Sequence, residues 1–345
     1  MTTDRPDDAG PLRVGVVGYG DAGRGIHARL LRAAGHVVTA VVTRSPERAG
    51  RALGDWPGVR VHGDVDALLA EPDHLDVVVV ASPTGRHVEH VLAAVEAGVP
   101  VVVDKPLATD EAGAARVVAA AEAAAVPLTV FQNRRWDAEQ LTLAGLLADG
   151  ALGTVHRFER RWERWRPVPK DRWKENAVGE GGGLLLDLGA HLVDSAVQLF
   201  GPVISVYAEL RALTTPTEDD VFLALRHRGG TTSHLWAGGL VGAPGPRTRV
   251  LGDRGAYLVT RFEGEASPFA GMAPGPDHEG WLVRGAEAAP VPRAPGGHED
   301  FYLLVAAWLR GGAPAPVDPR DAVVTARVLD AARRSAQAGQ VVLLD

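Results

Sequence analysis

The chain has 345 residues, of which 46% are hydrophobic and 23% charged, and this is ordinary for a globular protein of about two domains. The formal net charge of −7 argues against nucleic acid or an anionic membrane as a partner. Cysteine is absent, which excludes disulfides, thiolate catalysis and cysteine-ligated zinc. The first ten residues are polar and do not resemble a secretory signal, and no apolar run approaches the ~20 residues of a membrane helix. We therefore expect a cytoplasmic protein.

The first part of the chain alternates short β-branched runs with stretches rich in alanine and leucine. The pattern predicts strands at 12–17, 37–43, 59–62, 76–81, 100–104 and 128–132, and helices at 22–34, 84–97 and 110–125. Several of these strands are apolar throughout, which is typical of a parallel sheet covered on both faces. We expect a doubly wound α/β Rossmann domain over residues 10–135, with its ligand at the carboxyl ends of the strands.

A glycine-rich sequence follows the first predicted strand and precedes a predicted helix. It consists of Gly18, Tyr19, Gly20, Asp21, Ala22 and Gly23. In this context the glycines permit a tight turn, close approach of a pyrophosphate to the backbone, and close packing of helix on strand. The helix N-terminus adds N–H donors and a partial positive charge. The alternative is an ordinary glycine-rich turn.

The end of the second predicted strand indicates which dinucleotide is preferred. An NAD-type fold would carry an acidic residue there to hold the ribose 2′-hydroxyl, but this chain has Thr43, Arg44 and Ser45. Arg44 is suited to a 2′-phosphate, and the two hydroxyls can hydrogen-bond it. We favour NADP(H), with NAD(H) as the alternative. Arg44 is otherwise a solvated charge at a strand end.

The fifth predicted strand ends in Asp104, Lys105 and Pro106, where loops of this fold meet the cofactor. A lysine at this position can hydrogen-bond a substrate hydroxyl and stabilise alkoxide charge, although lone lysines are usually solvated. Of the histidines on the predicted helices, His87 lies nearest to the cofactor loops.

After Gly150 the pattern changes to strands with few helices between them. We predict strands at 155–165, 203–213, 221–227, 231–236, 247–251 and 256–262, and helices at 183–200, 299–310 and 319–337. Residues 264–298 are rich in glycine and proline and read as a long surface loop. Residues 136–345 are therefore expected to form an α+β domain on a large, mostly antiparallel, open-faced sheet.

One candidate for proton transfer lies in the first predicted helix of that domain. Asp187 and His191 are four residues apart, so a helix places both on one face, about one turn apart. A carboxylate beside an imidazole orients the ring and raises its basicity, as a general base requires. The alternatives are a structural hydrogen bond or half of a metal site. We expect no metal, because no third ligand stands at a readable spacing.

Two neighbouring segments have open interpretations. The glycines at 181–183 provide either a flexible start to the helix or room for a substrate beside the backbone. Residues 157–174 are basic and aromatic, but three interleaved acids and the negative whole-chain charge argue against nucleic acid. We expect this segment to combine a structural role with part of a pocket for a hydroxyl-rich substrate.

Over nearly its full length the chain resembles the Gfo/Idh/MocA family of oxidoreductases. The resemblance rests on GYGDAG (18–23), VVTRSPERA (41–49), ASPTGRH (81–87), DKP (104–106), FQNRRWD (131–137) and GGGLLLDLGAHLVD (181–194). NRRWD followed by RWRP and RWKE is most similar to the NADP-dependent scyllo-inositol dehydrogenase branch. Many relatives carry glutamate before the lysine, where this chain has Asp104.

The resemblance implies a Rossmann domain followed by an open-faced sheet domain that often forms homodimers or homotetramers. It implies that Lys105, Asp187 and His191 are catalytic. Besides the glycine-rich turn and residues 43–45, the implied cofactor contacts are Ser82, Pro83, Thr84, His87, Asp104, Lys105, Asn133 and Arg134. The implied substrate contacts are Lys105, Arg135, Trp136, Arg172, Trp173, Asp187 and His191.

These observations predict reversible oxidation of a secondary hydroxyl on a cyclic polyol or sugar. His191 would take the hydroxyl proton, Asp187 would support the charged imidazole, and Lys105 would hold the reacting oxygen. Two alternatives remain open. One is a glycosidase that uses bound nicotinamide without net redox change, and the other is a cofactor-sensing regulatory protein on the same scaffold.

Overall fold

The computed structural model describes residues 10–261 and 268–344, which divide into two compact units. The first unit contains the residues up to Leu107, with Gly113–Phe131 and His298–Arg320. The second contains Ala108–Ala112, Gln132–Gly297 and the residues from Asp321 onward. The main division falls four residues before the predicted boundary at 135. The sequence prediction also placed 298–320 in the second domain, whereas the structure places them in the first unit.

The reason for that difference is the apolar face of the helix Glu299–Leu309. Its residues Phe301 and Tyr302 are fully buried. The ring of Phe131, at the end of a strand of the first unit, lies 4.8 Å from Phe301 in an edge-on arrangement. The helix thus completes the core of the first unit, which sequence distance alone does not reveal.

The first unit is built on a six-stranded parallel sheet in the order β3-β2-β1-β4-β5-β6. This order confirms the predicted doubly wound fold, and it reverses between β1 and β4, where such sheets bind ligands. The strands are β1 (Arg13–Val17), β2 (Val37–Val42), β3 (Arg60–His62), β4 (Val77–Val80), β5 (Val101–Asp104) and β6 (Leu128–Phe131).

All four valines of β4 are inaccessible to solvent, as expected for a central strand covered on both faces. The helices between the strands are Arg29–Ala33, Pro46–Asp55, Val65–Leu69, His87–Glu96 and Glu111–Ala123. Arg29–Ala33 is preceded by a wide, π-type turn over Gly23–Ala28, so the region predicted as one α-helix at 22–34 changes its pitch.

The second unit contains a nine-stranded sheet in the order β14-β13-β12-β11-β7-β10-β9-β8-β15. Its neighbours are antiparallel except for β7 and β10, which run parallel, so the sheet is mostly antiparallel as predicted. The strands are β7 (Val155–Glu163), β8 (Val203–Arg211), β9 (Asp220–His227), β10 (Thr232–Gly238), β11 (Thr248–Gly252), β12 (Ala256–Val259), β13 (His278–Arg284), β14 (Glu287–Pro292) and β15 (Val342–Leu343).

The helices of the second unit cover one face of this sheet. They are Ala138–Ala148, Ala190–Phe200 and Pro319–Ala338, and a wide π-type turn over Leu185–Gly189 leads into the second of them. A short helix, Trp173–Asn176, lies between the first two along the chain. Alternate residues of the strands join these helices in one apolar core, including Leu223, Leu225 and Leu235. The intervening positions, such as Phe222 and Trp236, are only half-buried.

The surface loop predicted at 264–298 is wrong for residues 278–292. Residues from His278 to Pro292 form the hairpin β13–β14, which pairs at the edge of the sheet with β12. Glycine and proline interrupt its apolar alternation, so the sequence shows little periodicity although the strands form. The strand predicted at 256–262 ends at Val259, and residues 262–267 lie outside the described part of the chain.

The prediction that no segment approaches a membrane-spanning length also needs correction. By length and composition, one helical stretch among the described residues, Val178–Phe200, could span a bilayer. However, 67% of its most apolar window is buried inside the protein. Leu185 and Leu192 of this stretch belong to the second unit's core, and the core helix of a globular protein has the same composition.

Candidate active site

The turn after β1 has room only for glycine at two positions. Gly18 has a φ of +92°, and a Cβ there would lie 2.7 Å from the Ala81 carbonyl oxygen. A Cβ at Gly23 would lie 1.9 Å from the Gly18 carbonyl oxygen. The first helical turn is therefore held directly against the turn after β1, so the structure contains the cradle that a dinucleotide pyrophosphate requires.

The remaining residues of this turn differ in exposure. Asp21 is exposed and Ala22 half-buried, whereas the Tyr19 side chain is 1% exposed. The Tyr19 hydroxyl donates to Asp55 and accepts from Trp56 Nε1, both at 3.0 Å. Burial, and then the Asp55 carboxylate, raise the pKa of Tyr19 to about 12. The Tyr19 side chain thus supports the turn from inside rather than facing a ligand.

The end of β2 brings two guanidinium groups to this side of the unit. Arg44 is exposed, and its Nε donates to the Gly63 carbonyl at 3.4 Å. Arg48, which the sequence interpretation missed, lies over the glycine turn, with its Cζ 3.7 Å from the position of a Cβ on Gly20. The available signal was its position four residues after Arg44, on the helix that begins at Pro46.

The hydroxyls beside Arg44 have local roles. Ser45 caps the helix Pro46–Asp55 by accepting from the Arg48 backbone N–H at 3.3 Å. The Thr43 hydroxyl oxygen accepts from the Ser45 backbone N–H, also at 3.3 Å. Each hydroxyl still has its own hydrogen to donate, so these contacts are compatible with an anion beside Arg44.

The loop after β4 is fixed to the loop after β5 by a buried histidine. His87 Nε2 lies 2.8 Å from the Ser82 carbonyl oxygen, and its Nδ1 lies 2.8 Å from the Pro106 carbonyl oxygen. Burial lowers the pKa of His87. Both ring nitrogens therefore face backbone carbonyls of these two loops, and the contact of His87 with a cofactor stays a prediction. Pro83 and the buried Thr84 complete this loop.

Asp104 and Lys105 occupy the carboxyl end of β5. The Asp104 carboxylate accepts from the Lys105 backbone N–H at 2.9 Å, and the peptide bond between Lys105 and Pro106 is cis. Asp104 Oδ1 also lies 3.8 Å from Nε2 of the buried His27. Burial acts to raise the pKa of Asp104, but His27, then Lys105 and His87, outweigh it and lower the pKa to about 2.

In the second unit, Asp187 and His191 stand one turn apart where the wide turn passes into the helix Ala190–Phe200. Asp187 Oδ1 forms a 2.5 Å ion pair with Lys174 Nζ, a partner that the sequence interpretation did not identify. The His191 ring is 8% exposed and stacks on Trp162, with the centroids 5.7 Å apart and the planes at 30°. The predicted acid and base therefore lie on one helical segment.

The glycines before this helix have a packing role that neither sequence interpretation gave them. A Cβ on Gly182 would lie 2.7 Å from the Lys174 carbonyl oxygen. Gly183 has a φ of +99°, and a Cβ there would lie 2.1 Å from a carboxylate oxygen of Glu218. Their backbones must therefore approach neighbouring chain segments closely, which only glycine allows.

A cavity of about 120 Å³ borders the candidate acid in the second unit. Asp187 and Gly183 line it, together with Arg164, Arg166, Arg172 and Lys174. Lys170, Glu175, Glu218 and Asp219 also line it, so five cationic and four acidic side chains surround the cavity. Such a lining is expected for a site that binds a polar, oxygen-rich molecule.

The remaining residues that were expected to contact cofactor or substrate lie in the second unit. The turn Asn133–Trp136 belongs to the second unit, where Asn133 is buried and Arg134 pairs with Asp137 at 3.2 Å. Arg135 donates through Nε and Nη2 to Asp194 and through Nη1 to Asp321. Since its guanidinium is engaged by carboxylates, the structure does not support the predicted direct contact of Arg135 with substrate.

Trp136 is half-buried and Trp173 is 39% exposed. Trp173 begins the short helix that carries Lys174. Within the described ranges, no group of three or more histidine, aspartate or glutamate side chains is arranged to hold a metal ion.

Comparison with known proteins identifies the class to which this fold and site belong. Residues 12–132 match the oxidoreductase family with an NAD-binding Rossmann fold, and residues 141–258 match the GFO/IDH/MocA C-terminal domain. The chain belongs to the GFO/IDH/MocA oxidoreductase family. It is a dehydrogenase that acts on CH–OH groups, with a dinucleotide-binding Rossmann domain.

Two relatives match almost end to end. The scyllo-inositol 2-dehydrogenase (NADP(+)) IolW of Bacillus subtilis is 28% identical, over 97% of this chain and 96% of that protein. The uncharacterized oxidoreductase YdgJ of Escherichia coli is 33% identical, over 94% of this chain and 96% of that protein. These relationships extend across both units and confirm the family resemblance read from the motifs.

Solved structures agree with the fold. The structure of yvaA from Bacillus subtilis is 28% identical and superposes with a TM-score of 0.86, over 97% of this chain and 99% of that chain. That of YPO2259 from Yersinia pestis is 31% identical, with a TM-score of 0.85, over 98% of each chain.

Proposed function

We propose that the protein is an NADP(H)-dependent dehydrogenase that reversibly oxidises a secondary hydroxyl of a cyclic polyol or sugar to a ketone. The observation that carries the proposal is the Asp187–His191 pair, one helical turn apart, with Asp187 in the lining of a cavity that charged side chains surround. The name of the relative IolW, a scyllo-inositol 2-dehydrogenase, supports a cyclic polyol as substrate.

The proposed roles follow from the chemistry of each side chain. The nicotinamide supplies the hydride acceptor in the oxidative direction. His191 takes the proton of the reacting hydroxyl at a ring nitrogen, and the neighbouring Asp187 carboxylate stabilises the resulting imidazolium. Lys105, an ammonium donor, holds the reacting oxygen and stabilises its developing negative charge. Arg172 and Trp173 border the substrate.

The preference for NADP(H) is supported by the residues around β2. Arg44 and Arg48 supply two guanidinium groups near the glycine turn, and Thr43 and Ser45 supply hydroxyl donors. Planar guanidinium groups bind phosphate oxygens through paired charge-assisted hydrogen bonds. The 2′-phosphate of NADP(H) would accept hydrogen bonds from these groups, whereas NAD(H) has no phosphate at that position.

We further propose that the protein is cytoplasmic and forms a homodimer or homotetramer through the open face of the second unit's sheet. Half-buried aromatic side chains at Phe222 and Trp236 occupy that face, with their rings 5.3 Å apart. Aromatic side chains are enriched at protein interfaces.

The test is nicotinamide absorbance after mixing the purified protein with NADP⁺ or NAD⁺ and a panel of inositols, aldoses and sugar acids. We expect turnover of a cyclic polyol of the scyllo-inositol type, with NADP⁺ preferred. Preference for NAD⁺ would contradict the assignment of Arg44 and leave the chemistry in place. Sugar release without net absorbance change would instead indicate the non-redox glycosidase, and tight NADPH binding without turnover would indicate a cofactor sensor.

A further inference from the structure

Lys174 forms an ion pair with Asp187, the carboxylate one helical turn before His191. We infer that Lys174 is a positioning residue that holds the Asp187 carboxylate and tunes how strongly this carboxylate raises the basicity of His191. The inference rests on the proposed role of His191 as proton acceptor. Lys174 itself needs no contact with substrate in this account.

The geometry of the pair is close, although the pair is partly open to solvent. Lys174 Nζ lies 2.5 Å from Asp187 Oδ1, and the two side chains are 44% and 27% exposed. An isolated pair with this exposure contributes little to stability, because holding a long lysine side chain in one geometry loses conformational entropy. A persistent contact therefore requires the backbone of Lys174 to be fixed by other interactions.

The structure provides this fixation through the glycines that precede the Asp187 helix. The Gly183 backbone N–H donates to the Lys174 carbonyl oxygen at 2.8 Å. The Gly182 N–H donates to the Ala177 carbonyl at 3.0 Å, and the Thr217 hydroxyl donates to the Lys174 carbonyl at 3.1 Å. Because a Cβ on Gly182 would collide with that carbonyl oxygen, the close approach depends on glycine.

These contacts tie the start of the helix that carries Asp187 to the short segment that carries Lys174. Backbone hydrogen bonds therefore hold the main chains of Lys174 and Asp187 close to each other. The glycine-rich run at 181–183 therefore serves to hold the Lys174 ammonium against the Asp187 carboxylate.

Other charged groups also act on Asp187 and His191. Besides Lys174, the charged side chains that line the cavity beside Asp187 are Arg164, Arg166, Lys170, Arg172, Glu175, Glu218 and Asp219. Burial raises the pKa of Glu218, whose carboxylate accepts from the Leu185 backbone N–H. The guanidinium groups of Arg134, Arg164 and Arg247 lie 4.9, 5.4 and 4.8 Å from the centroid of the Trp162 ring on which His191 stacks.

The expected electrostatic effect of Lys174 has a definite sign. A carboxylate near an imidazole favours the charged imidazolium, whereas a cation close to that carboxylate cancels part of its field. Removal of the Lys174 charge should therefore expose His191 to more of the negative charge of Asp187. The pKa of His191 should rise, and the base should lose its proton at higher pH.

The direct test is an NMR titration of the His191 imidazole in the protein without cofactor, with the resonance assigned through His191→Gln. We expect Lys174→Met to raise the pKa of His191 by about 0.5–1 unit, and Lys174→Arg to leave it within about 0.2 unit. Arg211→Met is the matched control, because it removes another 2.5 Å ion pair, to Asp220, on β8 and β9. An unchanged His191 titration in Lys174→Met would overturn the inference.

A double-mutant cycle separates an effect through Asp187 from a direct one. In an Asp187→Asn background, Lys174→Met should shift the His191 titration by much less than it does in the native chain. An equal shift in both backgrounds would show that Lys174 acts on His191 without Asp187, which also contradicts the inference. Lys174→Gln replaces Lys174→Met in both arms if the methionine variant does not fold.

Activity provides a second readout that a purely structural role would not move. In Lys174→Met the acidic limb of the kcat/KM profile for oxidation should shift to higher pH in parallel with the NMR titration. Lys174→Arg should restore the native limb. If the NMR shift occurs but the native protein oxidises no polyol, the inference about Lys174 stands and the proposed function fails, so the two outcomes are distinguishable.

Discussion

The Tyr302 hydroxyl lies 2.6 Å from Nδ1 of His27, and both side chains are inaccessible to solvent. Burial raises the pKa of Tyr302 well above its ordinary value, so the hydroxyl remains a donor. With Nδ1 accepting, the His27 proton resides on Nε2, which faces Asp104 Oδ1 at 3.8 Å. A buried chain of polar groups thus stands behind the loop that carries Lys105.

Tyr302→Phe should destabilise the first unit, because it leaves Nδ1 of the buried His27 without its donor. The expected loss is about 1–3 kcal/mol, typical of an unsatisfied buried polar group. Urea unfolding monitored by circular dichroism measures it. Tyr207→Phe is the control, since that hydroxyl makes an exposed 3.3 Å contact with Glu209 and its loss should be close to neutral. Equal midpoints for the two variants would contradict the assignment.

Gly23→Ala should abolish the dinucleotide cradle. A Cβ at this position would lie 1.9 Å from the Gly18 carbonyl oxygen, so the helix must move away from the turn. We expect NADPH affinity to fall at least about tenfold, which corresponds to about 1.4 kcal/mol. Titration calorimetry measures the affinity, and thermal unfolding shows whether the variant is folded.

Gly25→Ala is the matched control for this experiment. Gly25 lies with Gly23 in the π-type turn Gly23–Ala28, but a Cβ on Gly25 would meet nothing within 4 Å. It should bind NADPH like the native chain. Equal NADPH affinity of Gly23→Ala and Gly25→Ala would show that close packing at Gly23 is not needed for binding.

Arg44→Ser should change the cofactor preference rather than the chemistry. Loss of a charge-assisted contact to the 2′-phosphate should lower kcat/KM with NADP⁺ about 10–100-fold and leave the value with NAD⁺ unchanged. Arg48→Ser should act in the same direction. Arg51→Ser is the control on the same helix, because Arg51 pairs with Glu47. An unchanged ratio of NADP⁺ to NAD⁺ turnover in Arg44→Ser would contradict the assignment.

Glu139→Gln should destabilise the second unit in a pH-dependent manner. Glu139 is 3% exposed and pairs with Arg247 at 3.0 Å and Arg160 at 3.4 Å. Burial raises its pKa, but Arg160 and Arg247 outweigh this and lower the pKa from 4.5 to about 2. Because the folded pKa is depressed, the ionised carboxylate stabilises the fold above pH ~4.5 and this stabilisation is lost as the pH falls towards ~2.

The free energy of unfolding should therefore fall by about 3–5 kcal/mol in Glu139→Gln at neutral pH, since two buried guanidinium groups lose the carboxylate that balances their charge. The difference from the native chain should shrink below pH ~4.5. Urea unfolding at a series of pH values measures this trend, with the exposed Glu209→Gln as control. A difference that stays constant down to pH ~3 would rule out the ionised Glu139 as its source.

Several features of the fold could be predicted because they leave local signals. The valine runs of β4 and β5 are continuous because both faces of those strands are buried, and the glycine turn is recognisable by spacing. The hairpin β13–β14 was missed because an edge hairpin tolerates glycine and proline and has little apolar alternation. The helix Glu299–Leu309 was assigned to the wrong unit because nothing local to it identifies Phe131 as its partner.

In the candidate site, too, local spacing predicts some features, and others depend on residues distant in sequence. The i,i+4 spacing of Asp187 and His191 predicts that they share a helix face, since this depends only on local geometry. The contact between Lys174 and Asp187 depends on where the chain folds back, so spacing could not reveal it. The carboxylate partners of Arg135 could not be read from spacing for a similar reason, because Asp194 and Asp321 are 59 and 186 residues away. Its contact with substrate stays a prediction.

The most direct test of the central claim compares the native chain with His191→Gln in one assay, with NADP⁺ and a cyclic polyol of the scyllo-inositol type. We predict NADPH formation by the native chain and a ~10²–10⁴-fold lower kcat in His191→Gln, with NADPH affinity unchanged. Near-native turnover in His191→Gln, or no NADPH formation by the folded, cofactor-binding native chain with any polyol, would contradict the account.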